Sequence, residues 1–392
     1  MWLKLRSVIF WMHLAIGVVA GLFILNMAGS GILIAYQKPI TALAEHNQRT
    51  VIAPAGATHL DVEALVAKVQ AERPEAPLSG VVLYSDPTAA AMFYMGRENN
   101  VLYANPYTGE VLGNGQKSVR VFFQAVTSWH RWLALEGTAR PIGQAITGTL
   151  SIAYFILLFT GLILWLPQQW SRRRLRQGAL LNLKLQGRAS NWNWHNVAGL
   201  WFAPLLLLVT LTGIVMSHDW AGDLLLRLTG NPVPAHRGEG GRRGGAGPID
   251  VGGINPLWAH AEKQVADWHS ISLRFSSSSD APATFLIDRG DGGRPDSVAQ
   301  LALDRDTGEV VRWQPYATEN AGQKLRSWMR PIHTGEAGGI LGESIAVVAA
   351  LGGITLAWTG LSMACRRFFG VRGSAPSPLS STPTESISST YD

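Results

Sequence analysis

The stretch "HLAIGVVAGLFILNMAGSGILI" (13–34) aligns without a gap on "HNVAGLWFAPLLLLVTLTGIVM" (195–216). His13 meets His195, Gly17 meets Gly199, Gly21 meets Ala203 and Gly31 meets Gly213. Each stretch is an apolar run headed by a histidine. The second lies within thirty residues, 189–218, that hold no Asp, Glu, Lys or Arg. A hydrocarbon core of ~30 Å is crossed by about 20 apolar residues in a helix, so both read as membrane spans. Residues 8–36, 141–171 and 344–365 are equally free of charge, which gives four spans in all. The first is too long for the apolar part of a signal peptide, and no small-residue cleavage site closes it.

The repeat extends to the other two spans. "IGQAITGTLSIAYFILLFTGLILW" (142–165) aligns with "LGESIAVVAALGGITLAWTGLSMA" (341–364), and "LYANPYTGEVL" (102–112) with "LALDRDTGEVV" (301–311). The chain therefore reads as two copies of helix, outer domain, helix. Both copies have the same orientation, so the repeat is parallel and its pseudo-axis lies along the membrane normal.

Charge orients the spans. The first seven residues (Lys4, Arg6), the link between the second and third spans (Arg172, Arg173, Arg174, Arg176, Lys184, Arg188) and the tail (Arg366, Arg367, Arg372 against Glu385 and Asp392) hold eleven bases and two acids. The whole chain has 33 bases and 27 acids, so the remainder is slightly acidic. By the positive-inside rule both termini and the link are cytoplasmic, and two large segments lie outside. The net charge of +6 records this topology and gives no argument for nucleic-acid binding. With Cys365 as the single cysteine, neither outer segment contains a disulfide. Each is expected to have its own small core and to pack against its twin, and Cys365 to be buried at the inner end of the fourth span.

The outer segments read as α+β. "HLDVEALVAKVQAER" (59–73) and "INPLWAHAEKQVAD" (254–267) have helical spacing, and "GVVLYSD", "AAMFYMG" and "ATFLIDR" read as strands. The two Thr-Gly-Glu segments read as hairpin turns. The glycine-rich "RGEGGRRGGAGP" (237–248) follows no strand and opens no helix, so it reads as a mobile loop. The expected fold class is a membrane α-helical protein of four transmembrane helices in two parallel repeats, with two outer α+β domains. Spans are placed at 8–36, 141–167, 191–217 and 340–365. Outer domains are placed at 38–118 and 219–325, and interfacial segments at 119–140 and 326–339. A basic link occupies 168–190, and a Ser/Thr/Pro-rich disordered tail occupies 366–392.

Residues at i, i+4 and i+8 share a helix face. His13 thus heads a strip with Gly17 and Gly21, and His195 one with Gly199 and Ala203. Five turns on, the same face carries Gly31 and Gly213, preceded by Ser30 and Thr212. A close helix contact with a hydrogen-bonded histidine explains one such strip. Two strips related by a repeat suggest, where their helices are neighbours, rings opposed across a flat group, with glycines leaving room for its plane. Haem held by two imidazoles fits that description. His130 in "SWHRWLAL" and His333 in "MRPIHTGEAGG" stand at matching places near the outer surface and suggest a second haem, its plane against Gly31 and Gly213. His218 is the competitor, but its counterpart is Tyr36 and it lies on another face. His46, His59, His236, His260 and His269 have no paired positions and read as surface residues. No Cys cluster or His-Glu-x-x-His spacing points to zinc.

These histidine-led spans, the "TGEVL" and "TGEVV" hairpins, "SWHRWL", "TGLILW" and "TGLSMA" resemble the PepSY-associated transmembrane proteins. Within them the likeness is to the di-haem ferric-siderophore reductases of the FoxB type. It covers nearly the whole chain except the glycine-rich loop and the tail. The resemblance implies periplasmic PepSY-like domains, a bacterial inner membrane, and two haem b groups held by His13 with His195 and by His130 with His333. It also implies electron flow from a cytoplasmic or quinol donor to a ferric siderophore, releasing Fe(II), which oxygen chelators hold less well than Fe(III). Arg131, Arg326 and Arg330 are candidates for attracting an anionic chelate or pairing with propionates. Trp129, Trp132 and Trp328 are candidates for lining the docking surface, or for an ordinary aromatic belt in lipid. Two rival classes stand beside this one. They are a sensor or regulator without a redox centre, and a siderophore transporter, which would need charged or broken helices at mid-membrane.

Overall fold

The computed structural model describes residues 2–96, 100–167, 169, 171–233, 251–276 and 281–369. The expected loop at 237–248, His236 and the tail beyond Phe369 lie outside the described residues. The first copy runs α1 (Trp2–Ala35), α2 (Gln37–Ala44), α3 (His46–Arg49), α4 (Val62–Glu72), β1 (Leu78–Tyr84), β2 (Ala91–Met95), β3 (Asn100–Ala104), β4 (Val111–Gly113), α5 (Lys117–Trp132) and α6 (Arg140–Trp165). A linking helix, α7 (Arg172–Ala179), follows. The second copy runs α8 (Gly187–Ser217), α9 (Asp219–Leu228), α10 (Ile254–Gln264), β5 (Ser270–Arg274), β6 (Ala283–Asp288), β7 (Val298–Leu303), β8 (Val310–Pro315), α11 (Ala321–Thr334) and α12 (Gly339–Phe369).

The helices α1, α6, α8 and α12 are long and apolar enough to cross a membrane. They close into a ring: α1 packs on α6 and α12, and α8 packs on the same two. The histidine-led helices therefore face each other diagonally across the bundle, and their rings meet without the helices being neighbours. Small residues allow this packing. A β-carbon on Gly352 of α12 would lie 2.2 Å from Phe202 of α8, and one on Gly21 of α1 would lie 2.8 Å from Leu361 of α12. Large apolar side chains such as Val19, Leu22, Trp201 and Trp358 point outward, as a lipid-facing surface requires. Cys365 is exposed on this surface. Its expected burial is corrected, because an apolar side chain at a span's end is as well placed facing lipid as facing protein.

At one end of the bundle the eight strands form one antiparallel sheet in the order β4-β3-β2-β1-β5-β6-β7-β8. The seam joins the first strand of each copy, with Val82 opposite Ser272 and Tyr84 opposite Ser270. The expectation of two separate cores is thereby corrected. A single apolar core combines Val62, Leu65 and Val66 of α4 with Ile254 and Leu257 of α10, Phe93 of β2 and Phe285 of β6. Where α4 and α10 meet, the Glu63 amide donates to Asn255 Oδ1 and the Asn255 amide to Glu63 Oε1, both at 3.1 Å. Merging buries the seam strands that would otherwise be open edges. The Thr-Gly-Glu segments turn β3 into β4 and β7 into β8, with Gly109 and Gly308 in the left-handed region at φ 80° and 70°.

The helices α5 and α11 connect sheet to bundle. In the first copy the connection is fixed by Glu45, which is fully buried between α2 and α3. Its carboxylate accepts from Arg120 Nε and Nη2, both at 2.6 Å, from the Gln116 amide at 2.8 Å and from the Tyr103 hydroxyl at 2.9 Å. Burial alone would raise its pKa, but Arg120 and the Gln116 amide together hold it below the ordinary glutamate value. Arg120→Met leaves a buried, unpaired carboxylate and is expected to cost about 3 kcal/mol or more at pH 8. The wild-type pair contributes in full above the unfolded glutamate pKa of about 4.3, and its contribution is lost as pH falls through the lower folded value. The variant's unpaired carboxyl relieves its own penalty by taking up a proton. Thermal unfolding in detergent at pH 8 and pH 5 should therefore show the larger deficit at pH 8. An equal deficit at both would refute the account.

Candidate functional site

Two histidine pairs sit on the bundle axis, one near each end. At the end far from the sheet, His13 of α1 and His195 of α8 have ring centroids 6.4 Å apart with planes at 86°. At the sheet end, His130 of α5 and His333 of α11 have centroids 6.4 Å apart with planes at 65°. The two layers are seventeen residues apart along α1, from His13 to the level of Ser30, or about 25 Å at 1.5 Å per residue.

Each ring is held in the same way. His13 Nδ1 lies 2.9 Å from Thr160 Oγ1, and His195 Nδ1 lies 2.9 Å from Thr359 Oγ1. His130 Nδ1 lies 2.9 Å from Ser30 Oγ, and His333 Nδ1 lies 3.2 Å from Thr212 Oγ1. In each case a glycine follows the hydroxyl residue and the ring rests on it. The β-carbon positions of Gly161, Gly360, Gly31 and Gly213 lie 3.3, 3.3, 3.6 and 3.1 Å from Cε1 of His13, His195, His130 and His333. Gly31 and Gly213 thus lie against the sheet-end imidazoles themselves. Gly17 and Gly199 have no imidazole against them: β-carbons there would lie 3.8 and 3.7 Å from Leu157 and Leu356, and both glycines border a space at the far end.

That space is a cavity of about 830 Å³. Its walls include Gly17, Gly199, His13 and His195, and its mouth carries Arg6, Arg188, Arg366 and Arg367. Arg6 is anchored by hydrogen bonds to the carbonyls of Leu164 and Leu166. Arg367 stacks over Phe10 and Trp11, 5.3 and 4.9 Å from their centroids. Tyr154 lines the cavity, and its buried hydroxyl has no hydrogen-bond partner. The matching position in the second copy is Gly353, whose β-carbon would lie 2.9 Å from that hydroxyl.

The sheet-end pair depends on how α5 and α11 turn into the spans. After His130, Leu133 and Ala134 adopt left-handed φ values of 54° and 56°, an uncommon conformation for side-chain-bearing residues. After His333, Gly335 makes the corresponding turn at φ 83°. Burial, followed by the charges of His333 and Arg131, pushes the His130 pKa down to about 3. Burial likewise lowers that of His333. Both shifts favour the neutral ring, the form that binds metal.

The other expected contributors surround this pair. Arg131 and Arg140 lie over the Trp132 ring at 4.7 and 3.6 Å. Arg330 donates to Glu336 at 2.7 Å, and Lys38 pairs with the same carboxylate at 3.5 Å. Arg326 sits against Gly222 of α9. Trp129 donates to Asn26, and Trp328 donates to the Tyr316 hydroxyl at 2.8 Å. The exposed guanidinium groups of Arg131, Arg140, Arg326 and Arg330 give this end a cationic rim. His218 is set apart from both pairs: its buried Nε2 faces Gly148 without a hydrogen-bond partner, and its ring lies 5.6 Å from that of Trp220. His46 is exposed, whereas His59 and His269 pack on Tyr107 and Tyr84.

Two imidazoles that bind one metal ion from opposite sides, through bonds of about 2.0 Å, have ring centres roughly 6 Å apart. Both pairs meet that separation. Among the described residues no group of three or more His, Cys, Asp or Glu side chains stands ready to hold a metal. An ion at either pair would thus have two protein ligands and would need to bring the rest of its coordination shell.

Four spans in a ring, two stacked pairs of imidazoles and a merged sheet at one end define a duplicated, multi-pass membrane protein. The family model described as PepSY-associated TM region matches residues 10–367, and the chain belongs to that family. No curated protein matches the chain.

Proposed function

We propose that this protein is an inner-membrane reductase with two b-type haems. It would carry electrons from the cytoplasmic end of the bundle to a ferric siderophore docked at the periplasmic, sheet-bearing end. The observation that carries this reading is the pair of 6.4 Å imidazole separations, each with Nδ1 occupied and two protein ligands only. A porphyrin supplies the four equatorial nitrogens that such a site lacks. His13 and His195 would hold one group, and His130 and His333 the other. Haem so ligated supplies one-electron transfer.

The rest of the chain supports the same reading. The far-end cavity has Gly17 and Gly199 in its wall, a largely apolar lining and four arginines, where a dianionic amphiphile would leave its carboxylates. The Arg131–Arg140–Arg330 rim suits an anionic ferric chelate, and Trp129 and Trp132 offer it apolar faces. The donor is a separate cytoplasmic protein or a quinol. The basic residues at the far end support this orientation.

The test is an optical spectrum of the detergent-purified protein, oxidised and then reduced, with haem counted per chain. Two haems with the sharp bands of six-coordinate b-type centres are expected, and the reduced form should be reoxidised by a ferric chelate. A colourless protein that stays colourless when supplied with haem would overturn the proposal and favour a regulator.

A further inference from the structure

The four histidines share one seat, and it decides which ring nitrogen is free. Each hydroxyl facing an Nδ1 has a single proton, and each is positioned to give it to its own helix. Thr160 donates to the Ile156 carbonyl at 2.7 Å, Thr359 to Thr355 at 2.6 Å, Ser30 to Asn26 at 2.7 Å and Thr212 to Leu208 at 2.9 Å. With its proton spent, the hydroxyl presents only lone pairs to the imidazole. A second acceptor faces the same atom, the carbonyl three residues before the hydroxyl. For His333 this is Val209 at 2.9 Å, and Leu157, Leu356 and Met27 stand at the same offset before Thr160, Thr359 and Ser30. At His333 Nδ1 meets two acceptors and no donor, and the matching hydroxyl seats extend the arrangement to the other three. A nitrogen so placed must carry the proton.

We infer that these four Ser/Thr-Gly pairs are tautomer locks. They are positioning residues that hold each imidazole as Nδ1–H and leave the Nε2 lone pair free. The hydroxyl and the carbonyl set the tautomer, and the glycine lets the ring come close enough to reach both. Each lock lies within one repeat: α6 seats the histidine of α1, α1 that of α5, α12 that of α8, and α8 that of α11. Each copy thus builds two half-sites, and the repeat axis joins them into whole ones. Because the acceptors are neutral, the rings gain less donor strength than a carboxylate partner would give them.

The inference rests on the haem reading for its purpose but not for its test. In full-length protein labelled with ¹⁵N-histidine and stripped of haem, solid-state NMR should find Nδ1 protonated and Nε2 bare at His13, His195, His130 and His333. A protonated Nε2 at these positions would sink the lock whether or not haem binds. In haem-loaded protein, Thr160→Val removes one acceptor and keeps the side-chain shape, whereas Thr160→Ser keeps the hydroxyl. Losing an outer partner of a metal-bound histidine costs 10–100-fold in affinity, and the Leu157 carbonyl remains, so the lower end applies. Haem should pass from the Val variant to an excess of haem-free acceptor protein about tenfold faster than from wild type, with Ser close to wild type. If the whole tenfold falls on the ferric state, the midpoint potential rises by about 59 mV for one electron. Unchanged release and potential in Thr160→Val would overturn the inference. Failure of the wild type to bind haem would instead strike the proposed function and leave the NMR result standing.

Discussion

His13→Ala and His195→Ala should each lower the haem content from two per chain to one. Both substitutions act on the same cavity, and in both the surviving imidazole keeps its own lock, Thr359 for His195 or Thr160 for His13. One ligand then has to hold what two held. The loss should be the same for the two variants despite their distance in sequence, because the repeat makes them equivalent. The bundle itself should stay folded. His13 and His195 are half-buried at the edge of an existing cavity, so truncation enlarges a space already present and does not open a new void in packed core. The measurement is haem per chain by pyridine haemochrome, beside the elution volume and thermal transition of the same sample. Two haems in either variant would dismiss the cavity as a haem site.

The spans and the repeat were legible because membrane insertion imposes long charge-free runs, and because duplication writes each feature twice. His13 was notable only beside His195, and His130 only beside His333. Other features left no local mark. The strand "SISLR" alternates Ser with apolar residues over five positions, too short to separate from a loop, and its pairing with β1 joins chain segments nearly two hundred residues apart. The diagonal placement of α1 and α8 is set by which small residues admit which neighbours, such as Gly352 beneath Phe202, and hydropathy is blind to that choice. The four Ser/Thr-Gly pairs stood in plain sight, two of them inside "TGLILW" and "TGLSMA". Thr and Gly are common where helices pack in membranes, so their role emerged only when the rings were seen to rest on them. A recurring sign was available all the same: each pair lies on a helix facing one histidine of the same repeat.

His130→Ala and His333→Ala should abolish reduction of a ferric chelate while sparing the far-end haem. The two layers are about 25 Å apart along the helices, and each is seated by different residues, Ser30 and Thr212 at the sheet end against Thr160 and Thr359 at the far end. Loss of one layer should therefore leave one haem per chain, still reducible by dithionite. Turnover of a ferric hydroxamate should fall by about 10²-fold or more, since a lost ligand should cost at least as much as the 10–100-fold of a lost outer partner. His218→Ala is the control. It is also a histidine near the sheet end, but its Nε2 faces Gly148 and lacks the hydroxyl seat that the other four share. Removing it deletes an unpaired buried nitrogen and no ligand, so both haems and full turnover should remain. If His218→Ala strips a haem while His333→Ala keeps two, the sheet-end assignment fails, and α8 would carry a ligand at each of its ends.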